Sequence, residues 1–597
     1  MDAGMMIKVV FLPSGKRIEC EAGKSILEIA QNAGEGIRSL CGGKGACGKC
    51  RVIVRKGDFR INPEPHEKFL SEEERNEGVV LACQAFLSSD AEIFIPVESR
   101  LEKQQILSDF IVSAGELSPY VWKEFYRDSF LPEIISQRGY VLSCNPVVED
   151  GDFTLVLRGK EVIAVEEGDT RDECFGLAID IGTTTLVAAL IDLNTGKVVN
   201  IASDYNGQIV YGEEVLSRVE FVFSRKDGLD ILQRAVVDSV NALIDRLLEG
   251  YSSPEKIYDV VAAGNTLMTH FFLKRDIDYL FRSSRVRVEK KGFVDRAKGM
   301  GLNVNENALV FALPPVGRYV GGDIVGDVLA AGIADSPYLS LMVDLGTNGE
   351  IVLGSEGWAI STSVASGPAF EGYEIKHGSR AVEGAIDHVE IDSSGVKYTV
   401  IGGKKPRSIC GSGLIDLLAE LFRNGIVDFQ GNLDREHERV RKGESDYEFV
   451  VAYADETETG KDIVLTQTDI DTLIKSKAAV CAGIAVLIKK AGISPADVER
   501  FYIAGGFGYY IDFENAITIG LFPELPNAEV KQIGNGSLAG AYLALTSQKK
   551  RNLAETMAKL MTYFDLSTDA DFMDEYNAAL SLPGKPELFP TIYDRYV

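Results

Sequence analysis

Two distant stretches of this chain repeat one pattern, and that repetition constrains the fold more than any other feature. In the first, an apolar strand ends in Asp180, a turn follows through Gly182, Thr183, Thr184 and Thr185, and residues 186–192 return as a second strand. In the second, an apolar strand ends in Asp344, the turn is Gly346, Thr347, Asn348 and Gly349, and residues 350–353 return. Each copy also has a later apolar strand that runs into glycine. One is residues 261–264; the other is residues 503–508, containing Gly505, Gly506 and Phe507. A repeated unit of this kind predicts two similar α/β lobes that bury their strands separately and face each other across a cleft. Gly-Thr turns from both lobes would present backbone N–H groups and hydroxyls to phosphate oxygens. Asp180 and Asp344 are then candidates for holding hydrated Mg²⁺, which prefers oxygen ligands and keeps several waters. Gly505, Gly506 and Phe507 would let adenine and ribose approach the backbone at a helix start, so ATP is the expected ligand.

The duplicated pattern resembles the superfamily of acetate and sugar kinases, Hsp70 and actin, through its phosphate-1, phosphate-2 and adenosine motifs. In that superfamily, sugar kinases place a catalytic Asp in a glycine-rich turn just ahead of phosphate-2. The resemblance implies that Asp323, in the stretch 320–327, orients the attacking water or helps hold Mg²⁺. A plain helix N-cap is the competing reading of Asp323. Glu350 either faces the phosphates or is a solvated strand position. Three further glycine turns are expected to line the cleft: residues 366–369, 411–413 and 534–537. His270, His377 and His388 receive no role, and Cys410 and Cys481 are expected to be buried thiols.

The first hundred residues carry different chemistry. Residues 7–11 and 17–20 read as a hairpin, and Ser25 with Glu28 reads as a capping box opening a short helix. A loop then holds Cys41, Cys47 and Cys50, with Cys83 further on, beyond a second capping box at Ser71 and Glu74. Three thiolates in one loop and a fourth on a neighbouring element suit a [2Fe–2S] cluster, and the intervening glycines let N–H groups reach the sulfurs. Zinc ribbons use two short paired motifs instead, and these are absent. The segment 43–50 nearly spells a P-loop, but Cys50 stands where the Mg²⁺-binding hydroxyl belongs. The C-x5-C-x2-C spacing resembles the adrenodoxin-like branch of β-grasp ferredoxins. Cys20, in a strand, reads as a small core or edge residue.

Composition narrows the partners. The formal net charge is −27, which disfavours nucleic acid, because phosphate binding needs a basic surface. No apolar run reaches the roughly 18 residues that span a bilayer, so no membrane is expected. The N-terminus lacks a basic start before a long apolar run, and a cytoplasmic chain is expected. Nine cysteines in that compartment argue for metal or redox use of some of them. The expected organisation is a multidomain α/β chain. A β-grasp [2Fe–2S] ferredoxin occupies residues 1–98, a linker 99–118 and a small middle domain 119–172. A duplicated actin-like ATPase of two lobes fills 173–597. Helix is expected at residues 101–110, and Cys144 reads as structural.

A ferredoxin joined to an ATPase implies an electron transfer that is unfavourable without nucleotide, since each ~59 mV uphill costs a factor of ten for one electron. The whole chain resembles the ATP-dependent reductive activators of corrinoid proteins. The matching segments are the four-cysteine domain, residues 176–185, Tyr211 with Gly212 through Ser217 and Arg218, and residues 263–266. They continue with residues 314–323, 344–350, 366–371 and 503–508. The resemblance implies a homodimer, fed by an external low-potential electron donor, that returns Co(II) to Co(I) in a methyl-transferring corrinoid protein. No D-x-H-x-x-G string occurs, so the corrinoid is expected on the partner, docked by acidic surface and the cluster loop. Three alternatives stand beside it. They are an activator of a 2-hydroxyacyl-CoA dehydratase-type enzyme, a redox-sensing nucleotide switch, and a small-molecule kinase.

Overall fold

A computed structural model describes residues 6–39, 41–76, 78–96, 99, 116–282, 287–346, 348–505 and 511–597. The expected helix at 101–110 lies outside the described residues, as do Thr347, Gly506 and Phe507.

The N-terminal unit is a five-stranded mixed sheet. Its order is Arg17–Glu21, Met6–Leu12, Ala91–Phe94, Arg51–Lys56, Val79–Leu81. Ile7, Val9 and Phe11 alternate inward along Met6–Leu12, and the helix Ile26–Asn32 covers that face with Ile26 and Ile29. Ser25 Oγ accepts the Glu28 N–H at 3.1 Å, one half of the expected capping box. Ser71 and Glu74 make both halves, at 2.8 and 3.1 Å. The last of these strands to appear in the sequence, Ala91–Phe94, lies at the centre of the sheet. Cys20 faces the core from the edge strand.

A four-stranded sheet follows, ordered Val121–Phe130, Asp150–Arg158, Glu161–Glu167, Val141–Leu142. It is fastened to what comes next through buried polar contacts. Lys123 Nζ donates to Glu166 at 2.6 Å, and Tyr258 donates its hydroxyl to the same carboxylate.

The two lobes repeat one another strand for strand. The first sheet runs Val198–Tyr205, Thr185–Asp192, Phe175–Ile181, Ile257–Gly264, Leu309–Ala312, Phe293–Arg296. The second runs Trp358–Val364, Gly349–Ser355, Ser340–Leu345, Arg500–Ala504, Glu529–Gly534, with Met561–Tyr563 added at its outer edge. Register makes the duplication concrete: Asp180 pairs with Ala263, and Asp344 pairs with Ala504, each in a parallel ladder. The central strands read as apolar runs because helices cover both faces. Parallel neighbours also align their C-terminal ends, so the Asp-bearing strand ends of both lobes open on the same cleft. The helices Gly322–Ala330 and Gly536–Thr546 occupy equivalent places in the two repeats and cross at Gly326 and Gly540, where a Cβ on Gly540 would strike the Gly326 backbone. One apolar core spans that crossing, with Ala178 and Val261 from the first lobe and Met342 and Leu538 from the second.

The cluster loop does not project into solvent; it is seated on the first lobe. Gln31 Nε2 donates to the Val210 carbonyl, the Ser39 N–H donates to the Glu213 carboxylate, and Lys44 pairs with Glu220. Gly42 sits so close to Ser217 that an added Cβ would come within 3.3 Å of its side chain. In this structure the loop packs on the chain's own first lobe, so the part of it expected to meet a partner is limited to what that packing leaves accessible. Among the described residues, no helix is long and apolar enough to cross a membrane.

Candidate functional site

Four thiols converge at the N-terminal loop. Gly42, Gly43, Gly45 and Gly48 all have φ between 60° and 97°, a region where a side chain is strained, so the loop can coil tightly around a small volume. A Cβ at Gly48 would lie 2.7 Å from Phe69 Cβ. The coil turns N–H groups inward: those of Gly43, Ala46 and Cys47 point at Cys41 Sγ, and that of Gly45 at Cys83 Sγ. Cys50 and Cys83 place their sulfurs 3.4 Å apart. The Cys47 thiol and the loop N–H groups pull Cys41 down to about 5. A hydrogen bond from Cys50 likewise holds Cys83 below the thiol range. The same contacts push Cys47 and Cys50 above the thiol range, so the lowering is shared within two thiol pairs; the loop N–H groups around them are the donors a [2Fe–2S] cluster uses, and the four residues fit it. Cys50 and Cys83 are buried, while Cys41 and Cys47 are half-buried and form the accessible side.

The second site is a cleft of about 520 Å³ between the lobes. Both turns reach it: Asp180, Gly182, Thr183, Thr184 and Thr185 from one side, Asp344, Gly346 and Asn348 from the other. Gly505 lies there too, at φ 86°, where any side chain would collide with Asp344. It closes the Arg500–Ala504 strand, and the helix start expected just after it lies outside the described residues. Gly349 is not part of the lining. It is a packing position, where a Cβ would meet Val364 at 3.0 Å and Val480 at 3.2 Å.

Carboxylates crowd one part of this cleft. Asp323 belongs to the first turn of the Gly322–Ala330 helix, whose N-cap is Gly321, so the simple N-cap reading does not hold. One turn further, Asp327 points the same way, as i and i+4 positions on a helix must. No motif in the sequence assigns Asp327 a role; its i+4 spacing from Asp323 is the signal that points to it. Asp327 is 1% exposed, and its Oδ2 has no hydrogen-bond partner. Asp180 accepts Asn535 Nδ2 at 2.9 Å, and Glu350 accepts Ser363 Oγ at 3.0 Å. Glu350 is buried, not a solvated strand position. Burial pushes Asp180 and Asp323 up to about 7 and Asp344 up to about 6. It drives Asp327 and Glu350 well above the carboxylate range, with repulsion from the neighbouring acids adding to it. Among the described residues no three His, Cys, Asp or Glu side chains are grouped to hold a metal ion by themselves, so a hard divalent cation drawn to these acids would rely on water or phosphate oxygens for most of its ligands.

The cleft has a second polar group that the sequence did not announce. His388 Nδ1 meets the Asp416 carboxylate, whose other oxygen accepts Asn515 Nδ2 at 2.6 Å. The turns at 411–413 and 534–537 reach the lining as expected, through Gly411, Ser412, Asn535, Gly536 and Ser537. The 366–369 turn does not: the Ser366 carbonyl takes the Ser476 hydroxyl, and Phe370 and Glu371 enter the cleft instead. Cys410 and Cys481 are buried thiols, Cys410 against the cleft and Cys481 in the helix Gln467–Ala491. His270 is likewise not alone, since it bridges the Thr266 carbonyl and the Tyr279 hydroxyl.

Comparison with known proteins agrees with this two-site arrangement. Residues 10–88 match the 2Fe-2S iron-sulfur cluster binding domain family, a span that contains all four cysteines. Residues 175–336 match the RACo middle region, and residues 338–593 match the C-terminal domain of RACo, the ASKHA domain. The corrinoid activation enzyme RamQ of Eubacterium limosum is 30% identical over 602 residues, covering 96% of this chain and 98% of its own. The [Co(II) methylated amine-specific corrinoid protein] reductase of Methanosarcina barkeri is 23% identical, covering 68% of this chain and 77% of its own. A solved structure of a reductive activator for corrinoid, iron-sulfur protein superposes with a TM-score of 0.72 at 36% identity, covering 98% of this chain and 100% of that one.

Proposed function

The chain belongs to the family of corrinoid reductive activators, and from that premise we propose that it restores Co(I) in an inactive Co(II) corrinoid protein, one electron at a time, under the control of ATP. The observation that carries this reading is the joining, in one polypeptide, of a four-thiol loop to a two-lobed cleft on which that loop is seated. A [2Fe–2S] cluster held by Cys41, Cys47, Cys50 and Cys83 supplies one-electron transfer when bound. The loop N–H groups stabilise negative charge on the sulfurs, and the half-buried Cys41 and Cys47 form the side through which electrons pass.

In the cleft, Thr183, Thr184 and Asn348 bind phosphate oxygens from opposite lobes, so nucleotide draws the two Gly-Thr turns together. Mg²⁺, held through Asp180, Asp344 and the acids beside them, would neutralise the phosphates. Asp323 stands at the N-terminal turn of its helix, where a carboxylate near 7 can accept a proton from an attacking water at neutral pH. Gly505 lets the nucleoside lie against the backbone, with Gly506 and Phe507 assigned to the same role from sequence. A corrinoid protein as partner, an external low-potential donor and a homodimer complete the reading.

The dehydratase-type alternative is disfavoured by the thiols it would use. Cys410 and Cys481 are 2% and 1% exposed on separate elements, and neither offers a surface sulfur for a cluster shared between subunits. The test is to mix the reduced, cluster-loaded protein with a Co(II) corrinoid protein and Mg·ATP and to follow the Co(I) spectrum. Faster or more complete Co(I) formation than in an ATP-free control is expected; equal yields with and without ATP would overturn the proposal.

A further inference from the structure

Arg380 is the only lysine or arginine among the described residues that line the cleft. Its guanidinium lies 3.3 Å from Thr184 Oγ1, in the first phosphate turn, and 3.6 Å from Glu371. It also stacks on the Tyr373 ring, at 5.0 Å from the centroid. The same ring carries a second guanidinium, that of Arg38 from the cluster domain, at 4.7 Å. Tyr373 is 2% exposed, and Arg38 lies just ahead of Cys41 in the chain. A contiguous path thus runs from the nucleotide turn to the cluster loop: Thr184, Arg380, Tyr373, Arg38.

A buried carboxylate shares this path. Glu213 is 6% exposed, holds the Ser39 N–H with one oxygen, and has no hydrogen-bond partner for the other. Its charge lies within reach of Arg380 and of the fully buried Arg218. Arg218 in turn donates to the carbonyls of Thr183 and Gly212, tying the phosphate turn to the segment on which the cluster loop sits.

We propose that Arg380 is a positioning residue that senses nucleotide at Thr184 and, through Tyr373 and Glu213, loosens the seat of the cluster domain on the first lobe. This rests on the reading of the cleft as an ATP site. A phosphate offers a guanidinium charge-assisted, bidentate hydrogen bonds, a better partner than an aromatic face. Once Arg380 turns to phosphate, Tyr373 loses its second cation and Glu213 loses part of its counter-charge. A buried carboxylate that loses its cation favours any rearrangement that lets water in, and here that rearrangement is parting of the Ser39–Glu213 interface. Nucleotide occupancy would thereby free the Cys41 and Cys47 side for a partner.

The experiment is hydrogen–deuterium exchange on the full-length, cluster-loaded protein, with and without Mg²⁺ and a non-hydrolysable ATP analogue. Analogue binding is measured on the same samples by fluorescence titration, and cluster retention by visible absorption. In the wild type, exchange across residues 41–50 and 207–220 is expected to rise about tenfold on saturation, as a local opening equilibrium shifts. Arg380→Gln should bind the analogue about tenfold more weakly, as expected for loss of a charge-assisted contact, and its exchange should not respond even at saturation. Arg38→Gln, which is not among the cleft-lining residues, should keep wild-type affinity yet exchange rapidly without nucleotide, and it carries the test if Arg380→Gln does not fold. Bound analogue with unchanged or slowed exchange in the wild type overturns the relay while leaving the ATP site standing. A normal response in Arg380→Gln removes Arg380 from it. A wild type that binds no analogue overturns the ATP reading itself.

Discussion

At the cluster loop, thiolate charge is met by backbone N–H groups from the same short stretch, turned inward by glycines at positive φ. In the cleft, acids from separate elements meet with Arg380 as the one arginine or lysine among the described lining residues. The loop therefore carries its compensation in its own backbone, whereas the cleft must import a cation. The difference teaches that the first site needs no imported cation to hold its charge, and that the second should respond directly to metal, nucleotide and pH.

Breaking the self-sufficient site should have the largest effect. Cys83→Ser removes one of the thiolates on which the loop closes. Visible absorption and the reduced-state EPR signal should vanish, and corrinoid reduction should fall to the protein-free rate. Nucleotide binding should persist, which calorimetry with Mg·ATP checks. In the cleft, Asp344→Asn should cut ATP turnover by on the order of 100-fold, the scale of losing one preorganised charge at a reacting phosphoryl group, while leaving the cluster spectrum unchanged.

The pH response sharpens the contrast further. Asp180, Asp323 and Asp344 have folded-state pKa values raised to about 7, 7 and 6, so between pH 4 and 7 the folded metal-free protein binds more protons than the unfolded chain. Stability must then fall as pH rises through that window. Thermal denaturation should show the melting temperature dropping by a few °C between pH 5 and 8, because raised pKa values of this size in three groups amount to several kcal/mol. Mg²⁺ should restore more stability at pH 8 than at pH 5. Asp327→Asn should flatten the slope, and a metal-free curve that rises with pH would contradict the crowding argument.

The smallest effect belongs to the exposed Lys44–Glu220 pair, whose side chains are 52% and 56% accessible. Lys44→Ala should change stability by under about 1 kcal/mol and alter interface exchange only at low salt. A large effect there would mean that the cluster domain is held by surface charge and not by the buried Glu213 and Tyr373 contacts.

Much of this was legible in the sequence. The hairpins at Asp180 and Asp344, the later strands ending near Gly264 and Gly505, and the four-cysteine loop were all readable because each is written in neighbouring residues. Local geometry suffices there: alternating or continuous apolar runs make strands, and a Gly-Thr pair makes a turn. Where reading failed, burial had overridden local preference. From sequence, Glu350 stood open between the cleft and solvent, and the contacts that put it in the cleft, Ser363 and the surrounding acids, lie across the sheet and the cleft. His388 looked solitary because Asp416 and Asn515 are close only in space. Gly349 looked like a phosphate turn residue, but its Cα faces Val364 and Val480.

The sequence by itself determined the parts: two Asp-bearing hairpins, their glycine strands and a four-thiol loop. Those follow from dihedral and spacing rules that act over a few residues. Tertiary structure alone decided which charges would meet. It brought Asp327 and Glu350 beside Asp344 and Asp323, placed Arg380 between Thr184 and Tyr373, and laid Arg38 on the other cationic seat of that ring. Coulomb and desolvation energies depend on distance through space and on exclusion of water, and neither quantity exists until the lobes and the cluster domain have packed.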